Sequence, residues 1–238
     1  MRLRKWADLP AFMKCEEVRK YYDILAKKKC ALELKRGFDV VVAMIMLVIL
    51  ALPMVVISIM IKIDSPGPVF YRQERVTAYG KKFMIHKFRT MVNDADKIGS
   101  AVTVGDDARI TKMGSKIRAL RLDEIPQLID VLTGNMSFVG TRPEVTKYVK
   151  KYTKEMYATL LLPAGITSEA SIRYKDEAAL LNIADDIDKV YVEEVLPGKM
   201  RYNLQSIRRF SLAGEIATIF RTAVVVLGKF MSNKEVDL

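Results

Sequence analysis

A stretch of 22 consecutive residues without a single charge, 40–61, constrains this chain more than any other feature. As a straight helix it exceeds the roughly 20 apolar residues that cross a bilayer. It begins too late and runs too long for a signal peptide, and it ends at Lys62 rather than at a small-residue cleavage site. Pro53 lies inside it and removes a backbone donor, so a kink or break is expected there. Lys35-Arg36 enters the block and Lys62 leaves it, and counting basic residues therefore gives no asymmetry across it. A helix–break–helix hairpin returning to the face it entered fits these residues, and so does a kinked single span.

The remaining composition sets the partners. With 238 residues the chain is one large domain, or one domain with an attachment. Half the residues are hydrophobic and 28% are charged, which excludes disorder, collagen-like repeats and low-complexity sequence. A net charge of +11 favours anionic partners: nucleic acid, anionic lipid or phosphorylated metabolites. Two cysteines, Cys15 and Cys30, make no disulfide framework. Residues 1–36 hold eleven Lys or Arg against five acids, with Phe12, Val18, Tyr21, Tyr22, Leu25 and Ala26 among them. This segment reads as a basic amphipathic helix lying on anionic lipid.

Beyond Lys62, Asp64-Ser65-Pro66-Gly67-Pro68 reads as a turn, and two short strands around Phe70-Tyr71 and Phe83-Met84-Ile85 flank a Tyr79-Gly80 turn. The hairpin carries six basic residues, Arg72, Arg75, Lys81, Lys82, Lys87 and Arg89, against Glu74 alone. Residues 106–111 read as a loop into a helix. A better defined helix opens at Pro126, with Leu128, Ile129, Val131 and Leu132 as its apolar face and Gly134 as its stop. An apolar-rich helix is expected over residues 211–230. His86, the single histidine, reads as a packing residue, and there is no zinc pattern, Walker-type loop or GxGxxG.

Asp123 and Glu124 stand just before the Pro126 helix, where unpaired N–H groups and the helix dipole favour anions, and Arg118 and Arg121 precede them. Both carboxylates are therefore expected to be ionised at neutral pH. An ionised Asp can attack phosphorus and an ionised Glu can hold Mg²⁺. On spacing alone, a helix cap is the plainer reading of the pair.

A set of collinear motifs changes that reading. Lys35-Arg36-x-x-Asp39, Ser65-Pro66-Gly67-Pro68, Phe70-x-x-Gln73-x-Arg75 and Phe83-x-x-x-Lys87-Phe88-Arg89-Thr90-Met91 come in order. Arg109-Ile110-Thr111-x-x-Gly114, Leu122-Asp123-Glu124-Ile125-Pro126-Gln127-Leu128, Asn135-Met136-Ser137-Phe138-Val139-Gly140-x-Arg142-Pro143 and Pro163-x-Gly165-Ile166-Thr167 follow. From about Lys35 to about Phe220 the chain resembles the bacterial sugar transferases, the monotopic phosphoglycosyl transferases in their small single-domain form.

The resemblance implies a transfer of sugar-1-phosphate from a UDP-sugar to a polyprenyl phosphate such as undecaprenyl phosphate, at the cytoplasmic face of the bacterial inner membrane. It implies Asp123 as the nucleophile that releases UMP and forms a phosphosugar–aspartyl intermediate, and Glu124 as the residue associated with Mg²⁺. Lys87, Arg89, Arg118 and Arg142 match positions in phosphate-binding motifs, and Arg142-Pro143 follows a tight turn from which the guanidinium can make a fork-like contact with phosphate. Arg75 and Arg109 are weaker candidates, since either fits a structural ion pair. It also implies a re-entrant membrane helix broken at Pro53.

The expected fold is α+β: a helix-rich, membrane-associated catalytic domain with a small β-hairpin and an N-terminal re-entrant hairpin. Its parts are a basic amphipathic segment (1–34), the membrane hairpin (35–62) and a catalytic domain with an amphipathic C-terminal helix (63–238). Asp39, at the polar entrance of the apolar block, is expected to pair with Arg36 or another base. Expected partners are the two substrates and anionic lipids, without nucleic acid, and a homodimer is left open. Three single positions, Thr77, Thr141 and Glu215, and the stretch 168–174 depart from the family pattern. The stretch 168–182 bears on which sugar is accepted. The competing reading is a non-catalytic, membrane-anchored basic scaffold that binds anionic lipid or nucleic acid.

Overall fold

The computed structural model describes residues 1–95, 107–174 and 186–236. The architecture is α+β, with many helices and two small sheets. The apolar block forms the middle of a 36-residue helix, α2 (Lys29–Asp64), which follows a short α1 (Glu16–Ala26). Pro53 lies inside α2, so one helix takes the place of the expected two with a break between them. The physical reason lies on either side of the proline. Leu50 packs on one apolar cluster and Met54 on the next, so the turns flanking Pro53 are both held.

α2 buries one narrow face and opens the rest. Leu32, Ala43, Ile57 and Ile61 are buried along one side, while Val48, Leu52 and Ile63 are 78%, 72% and 81% exposed. A contiguous apolar surface of this kind marks a membrane or partner contact. Three polar side chains near its start tie it down. Lys35 donates to the Val139 carbonyl at 3.0 Å and pairs with Glu215. Asp39 accepts from the Ser137 hydroxyl at 2.8 Å and the Phe138 N–H at 3.3 Å, and not from Arg36 as expected. Arg36 instead reaches the Val131 and Leu132 carbonyls at 2.6 and 2.8 Å, where a helix C-terminus favours a cation.

The helix α1 departs from its sequence expectation. Its apolar residues Val18, Tyr21 and Leu25 are buried in the largest core cluster, with Leu161, Leu196 and Met200. The stripe expected to face lipid is used by the protein interior, because apolar surface is available there at shorter range.

The hairpin forms as expected, with β1 (Phe70–Val76) antiparallel to β2 (Lys82–Phe88) around a turn in which Tyr79 and Gly80 both take positive φ. Then come α3 (Lys112–Ala119), a 3₁₀ turn over Leu122–Glu124 and α4 (Gln127–Leu132). Asp130 of α4, fully buried, accepts the His86 backbone N–H and Nδ1–H, both at 2.8 Å, and so locks α4 to β2. This is the packing role expected of His86. A parallel pair, β3 (Met136–Val139) and β4 (Ala164–Thr167), was not legible in the sequence. Gly165 meets Gly140 so closely that a Cβ on it would lie 2.1 Å from the Gly140 nitrogen.

The chain ends in α5 (Thr146–Val149), α6 (Glu169–Arg173), α7 (Ile187–Val190), a π-helical turn (Tyr191–Val195), α8 (Leu196–Arg208) and α9 (Leu212–Val236). Residues 175–182 of the stretch tied to sugar choice lie outside the described residues.

Asp39 is 1% exposed, so its removal leaves buried donors of β3 unpaired. Asp39→Ala is expected to destabilise the protein by about 3 kcal/mol. Denaturant unfolding in detergent micelles checks this, and a loss below about 0.5 kcal/mol would mean that the contact does not hold α2 in place.

Candidate active site

The site is built where a 3₁₀ turn, a strand and a loop converge. Arg121 takes the left-handed conformation at φ 53°, turning the chain out of α3 and into the Leu122–Glu124 turn. Such a backbone is uncommon for a residue with a side chain and recurs at functional sites. Asp123 and Glu124 thus stand ahead of α4, as read from the sequence. β2 supplies Lys87, and the loop leaving β3 supplies Arg142.

Glu124 Oε1 takes both cations, Lys87 Nζ at 3.0 Å and Arg142 at 2.7 Å. Asp123 meets Lys87 only at 3.8 Å. The Glu124 side chain is 10% exposed and that of Asp123 16%. These neighbours split the pair electrostatically. Burial would raise the Glu124 carboxyl, but the charges of Arg142 and Lys87 and the Arg142 hydrogen bond outweigh it, holding the group well below the usual carboxylate range. Burial pushes the Asp123 carboxyl up; Lys87 works against that and the Glu124 charge adds to it. The sequence reading expected both carboxylates to be ionised at neutral pH; burial, which is not visible in the sequence, makes Asp123 the more basic of the two. Burial lowers the Lys87 ammonium, with Glu124 opposing.

The other candidates separate into those near this centre and those away from it. Arg118 on α3 and Arg142 both lower the Asp123 carboxyl, so their charges reach it. Arg75 donates to the Pro143 carbonyl at 3.1 Å and to Gln73 Oε1, behind the loop that carries Arg142. Arg89 does not join them. It is 4% exposed and donates to the Ser65 and Pro66 carbonyls, closing the turn after α2. Arg109 pairs with Asp107 at 2.6 Å and donates to the Ala95 carbonyl, in the structural ion pair that was its alternative reading.

Tyr71, and Gln73 which the sequence reading quoted only as part of a motif, were not named as site residues, yet they share the Lys87 face of the hairpin through the registers Tyr71↔Lys87 and Gln73↔Ile85. The two-residue period of β1, counted from Arg75, would have found them.

The donor set suits a hard divalent cation. Two neighbouring carboxylates are present, and among the described residues no group of three or more His, Cys, Asp or Glu surrounds them. Mg²⁺ is commonly held by one or two carboxylates plus substrate phosphates, so these residues fit an ion that arrives with a diphosphate.

Comparison with known proteins identifies the family. The family described as bacterial sugar transferase matches residues 30–229. A UDP-N-acetylgalactosamine-undecaprenyl-phosphate N-acetylgalactosaminephosphotransferase of Aeromonas hydrophila is 32% identical over 201 residues, 83% of this chain and 44% of the relative. A UDP-glucose:undecaprenyl-phosphate glucose-1-phosphate transferase of Escherichia coli is 34% identical over 79% of this chain and 39% of the relative. An undecaprenyl-phosphate galactose phosphotransferase of Salmonella typhimurium is 30% identical over 84% of this chain and 42% of the relative. The chain thus spans less than half the length of these three relatives.

The raised Asp123 carboxyl fixes a sign. If Asp123 must be ionised to react, activity falls as pH drops through its pKa, and this acid limb lies at higher pH than an ordinary aspartate gives. Lys87→Gln removes the cation that holds the group down, so the limb is expected to move further up. Single-turnover rates from acid to neutral pH check this, and a limb that stays put or moves down contradicts it.

Proposed function

The chain belongs to the bacterial sugar transferase family, and on that premise we propose that it moves a sugar-1-phosphate from a UDP-sugar to undecaprenyl phosphate, an early membrane step of glycan assembly. The observation that carries this reading is the unequal treatment of two adjacent carboxylates: Glu124 is neutralised by Lys87 and Arg142, while Asp123 is desolvated and only distantly paired. A desolvated carboxylate of raised basicity is a better nucleophile, provided it stays ionised.

An Asp123 oxygen attacks the sugar-proximal phosphorus of the donor. The bond from that phosphorus to the bridging oxygen breaks, and UMP leaves with the bonding electron pair. The phosphosugar is then held as an acyl phosphate on Asp123. An oxygen of the lipid phosphate attacks the same phosphorus, the bond to Asp123 breaks, and the carboxylate is restored as the lipid diphosphate sugar departs.

Two anionic substrates use one centre in turn, which avoids holding both charges together. Arg142 and Lys87 stand beside the reacting carboxylate to offset phosphate charge, and Arg118 adds to the field at Asp123. Glu124, with Asp123 beside it, is where Mg²⁺ would be held, and the ion would supply neutralisation of the diphosphate.

The contacts of α2 support entry and exit on one side of the membrane. Near its start Lys35 and Asp39 hold β3, and at its end Asp64 accepts the Met113 N–H at 3.1 Å. Both ends therefore meet the same body, which a helix crossing about 30 Å of hydrocarbon cannot do. In this reading α2 bends at Pro53 in the membrane, so that one continuous helix is still re-entrant; its open face lies in lipid, and the body sits on the cytoplasmic face of the inner membrane.

Asp123→Asn is expected to lower UMP release from a UDP-sugar panel with undecaprenyl phosphate by roughly a thousandfold or more. It should also abolish any trapped radiolabelled sugar-phosphate adduct, while Glu124→Gln weakens the dependence on Mg²⁺. Near-normal turnover in the Asp123→Asn protein removes the nucleophile assignment, and no UMP release from the native chain favours the scaffold reading.

Topology has its own check. Cys30, exposed at the start of α2, and a cysteine introduced by Lys62→Cys should both react with an impermeant maleimide from the cytoplasmic side. Labelling from opposite sides would mean that α2 crosses.

A further inference from the structure

The loop that carries Arg142 has no regular structure of its own, yet it must aim a long side chain at Glu124. Near its start Gly140 N–H donates to the Thr167 carbonyl at 3.0 Å, and Gly165 N–H donates to Thr141 at 2.9 Å. At its far end Val76 N–H donates to the Glu144 carbonyl at 2.9 Å, and Arg75 donates to Pro143. Arg142 is thus held between β4 on one side and β1 on the other.

The Glu144 side chain turns inward and is 5% exposed. A carboxylate in that setting is costly unless it is paired and hydrogen-bonded. Tyr191 donates to its Oε1 at 2.6 Å, and Lys199 Nζ reaches the Tyr191 oxygen at 3.3 Å. Tyr191 opens a π-helical turn, an irregularity that recurs at functional sites. The Glu144 charge also reaches Arg75, opposing the burial that lowers its guanidinium, whereas Arg142 repels it. Arg75 Nε is buried and meets no acceptor among the described residues, and Glu144 is tied through its carbonyl to Val76, the residue next to Arg75.

We propose that Glu144 is a positioning residue for the donor diphosphate site: its buried carboxylate, locked by Tyr191 and backed by Lys199, holds Arg75 behind the loop and so sets the aim of Arg142. This rests on the proposed transferase reading, and it adds residues from α8 and the π-helical turn that touch neither Asp123 nor Glu124. Glu144 acts through the two arginines and takes no part in bond making.

The test measures UDP affinity by calorimetry in the presence of Mg²⁺, with UMP release and thermal midpoint followed in parallel. Tyr191→Phe keeps every charge and removes the hydroxyl that locks Glu144; it is expected to weaken UDP binding about tenfold and to lower the thermal midpoint by a few degrees, leaving the protein folded at the assay temperature. Glu144→Gln keeps the shape and removes the charge. A carboxylate that merely repelled the donor would be lost with a gain in UDP affinity, whereas one that holds Arg75 is lost with weaker binding.

The double variant is expected to be little worse than either single one, because the two groups act as a unit. In turnover the Michaelis constant for the donor rises and that for undecaprenyl phosphate does not. Tighter or unchanged UDP binding in Glu144→Gln, or a Tyr191→Phe protein within about twofold of the native one, overturns the proposal. UMP release by the native chain is read in the same series, so failure of the transferase reading is seen separately from failure of the positioning role.

Discussion

A helix with an open apolar face has no reason of its own to sit at one place on a protein body, and here three polar side chains within five residues decide the matter. Lys35 and Asp39 hold β3 at Val139, Ser137 and Phe138, and Arg36 holds the last carbonyls of α4. β3 leads directly into the loop of Arg142, and α4 follows directly from Asp123 and Glu124. The two elements that flank the site are therefore both fastened to the helix with the open apolar face. Lys35 and Asp39 are buried, and each has partners, so the grip is satisfied rather than strained. Breaking one half of such an arrangement leaves a buried group uncompensated, which makes it far more specific than apolar contact along the same helix.

Neighbours in sequence can be made to differ by what surrounds them. Glu124 receives two cations and is fixed as an anion, whereas Asp123, one residue earlier, is governed by burial. The cations are themselves crowded: Arg142 lowers both Lys87 and Arg75, and Arg75 lowers Lys87. A cluster of this kind attracts phosphate but repels itself, and Glu124 on one side and Glu144 on the other balance it. The site can thus be strongly cationic toward a diphosphate without flying apart when none is bound.

Much of this was legible in the sequence wherever the signal is local. The hairpin follows from its turn residues, α4 from Pro126 and Gly134, and the apolar middle of α2 from its missing charges, though not the turns that carry the helix on to Lys29 and Asp64. The pairing of Asp123 with Glu124 ahead of a helix was readable too, and the collinear motifs gave the family. What the sequence could not show is which distant group each side chain meets. Asp39 was expected to seek a base but found the backbone and hydroxyl of β3, a contact 98 residues away. Arg89 carries the same charge as Lys87 two positions earlier, yet it closes a turn because the strand ends between them. β3 and β4 are four residues each with almost every position buried, so neither shows the alternation that marks a strand. The amphipathic spacing of α1 was real, but spacing does not tell lipid from core.

In the proposed reading the same grip sets the depth of the chemistry. Glu215 of α9 joins Lys35 of α2, and Ile219, one turn on, packs in the cluster that holds Met46, Leu47 and Leu50. Phe220 and Val224 of α9 are left 68% and 69% exposed, beside a helix whose own outward residues are apolar. Two apolar surfaces are in this way joined at one ion pair, and that ion pair sits where the charge-free stretch of α2 begins. Lipid hydrocarbon can cover the surfaces only up to the point where charges require water or headgroups. Arg36, next to Lys35, holds the end of α4, a helix only six residues long, and Asp123 and Glu124 stand just before its other end. A helix that short places the carboxylate pair within about 10 Å of the boundary. In the proposed transferase reading that is the level of the acceptor phosphate, whose reacting oxygen is then met without leaving the headgroup layer.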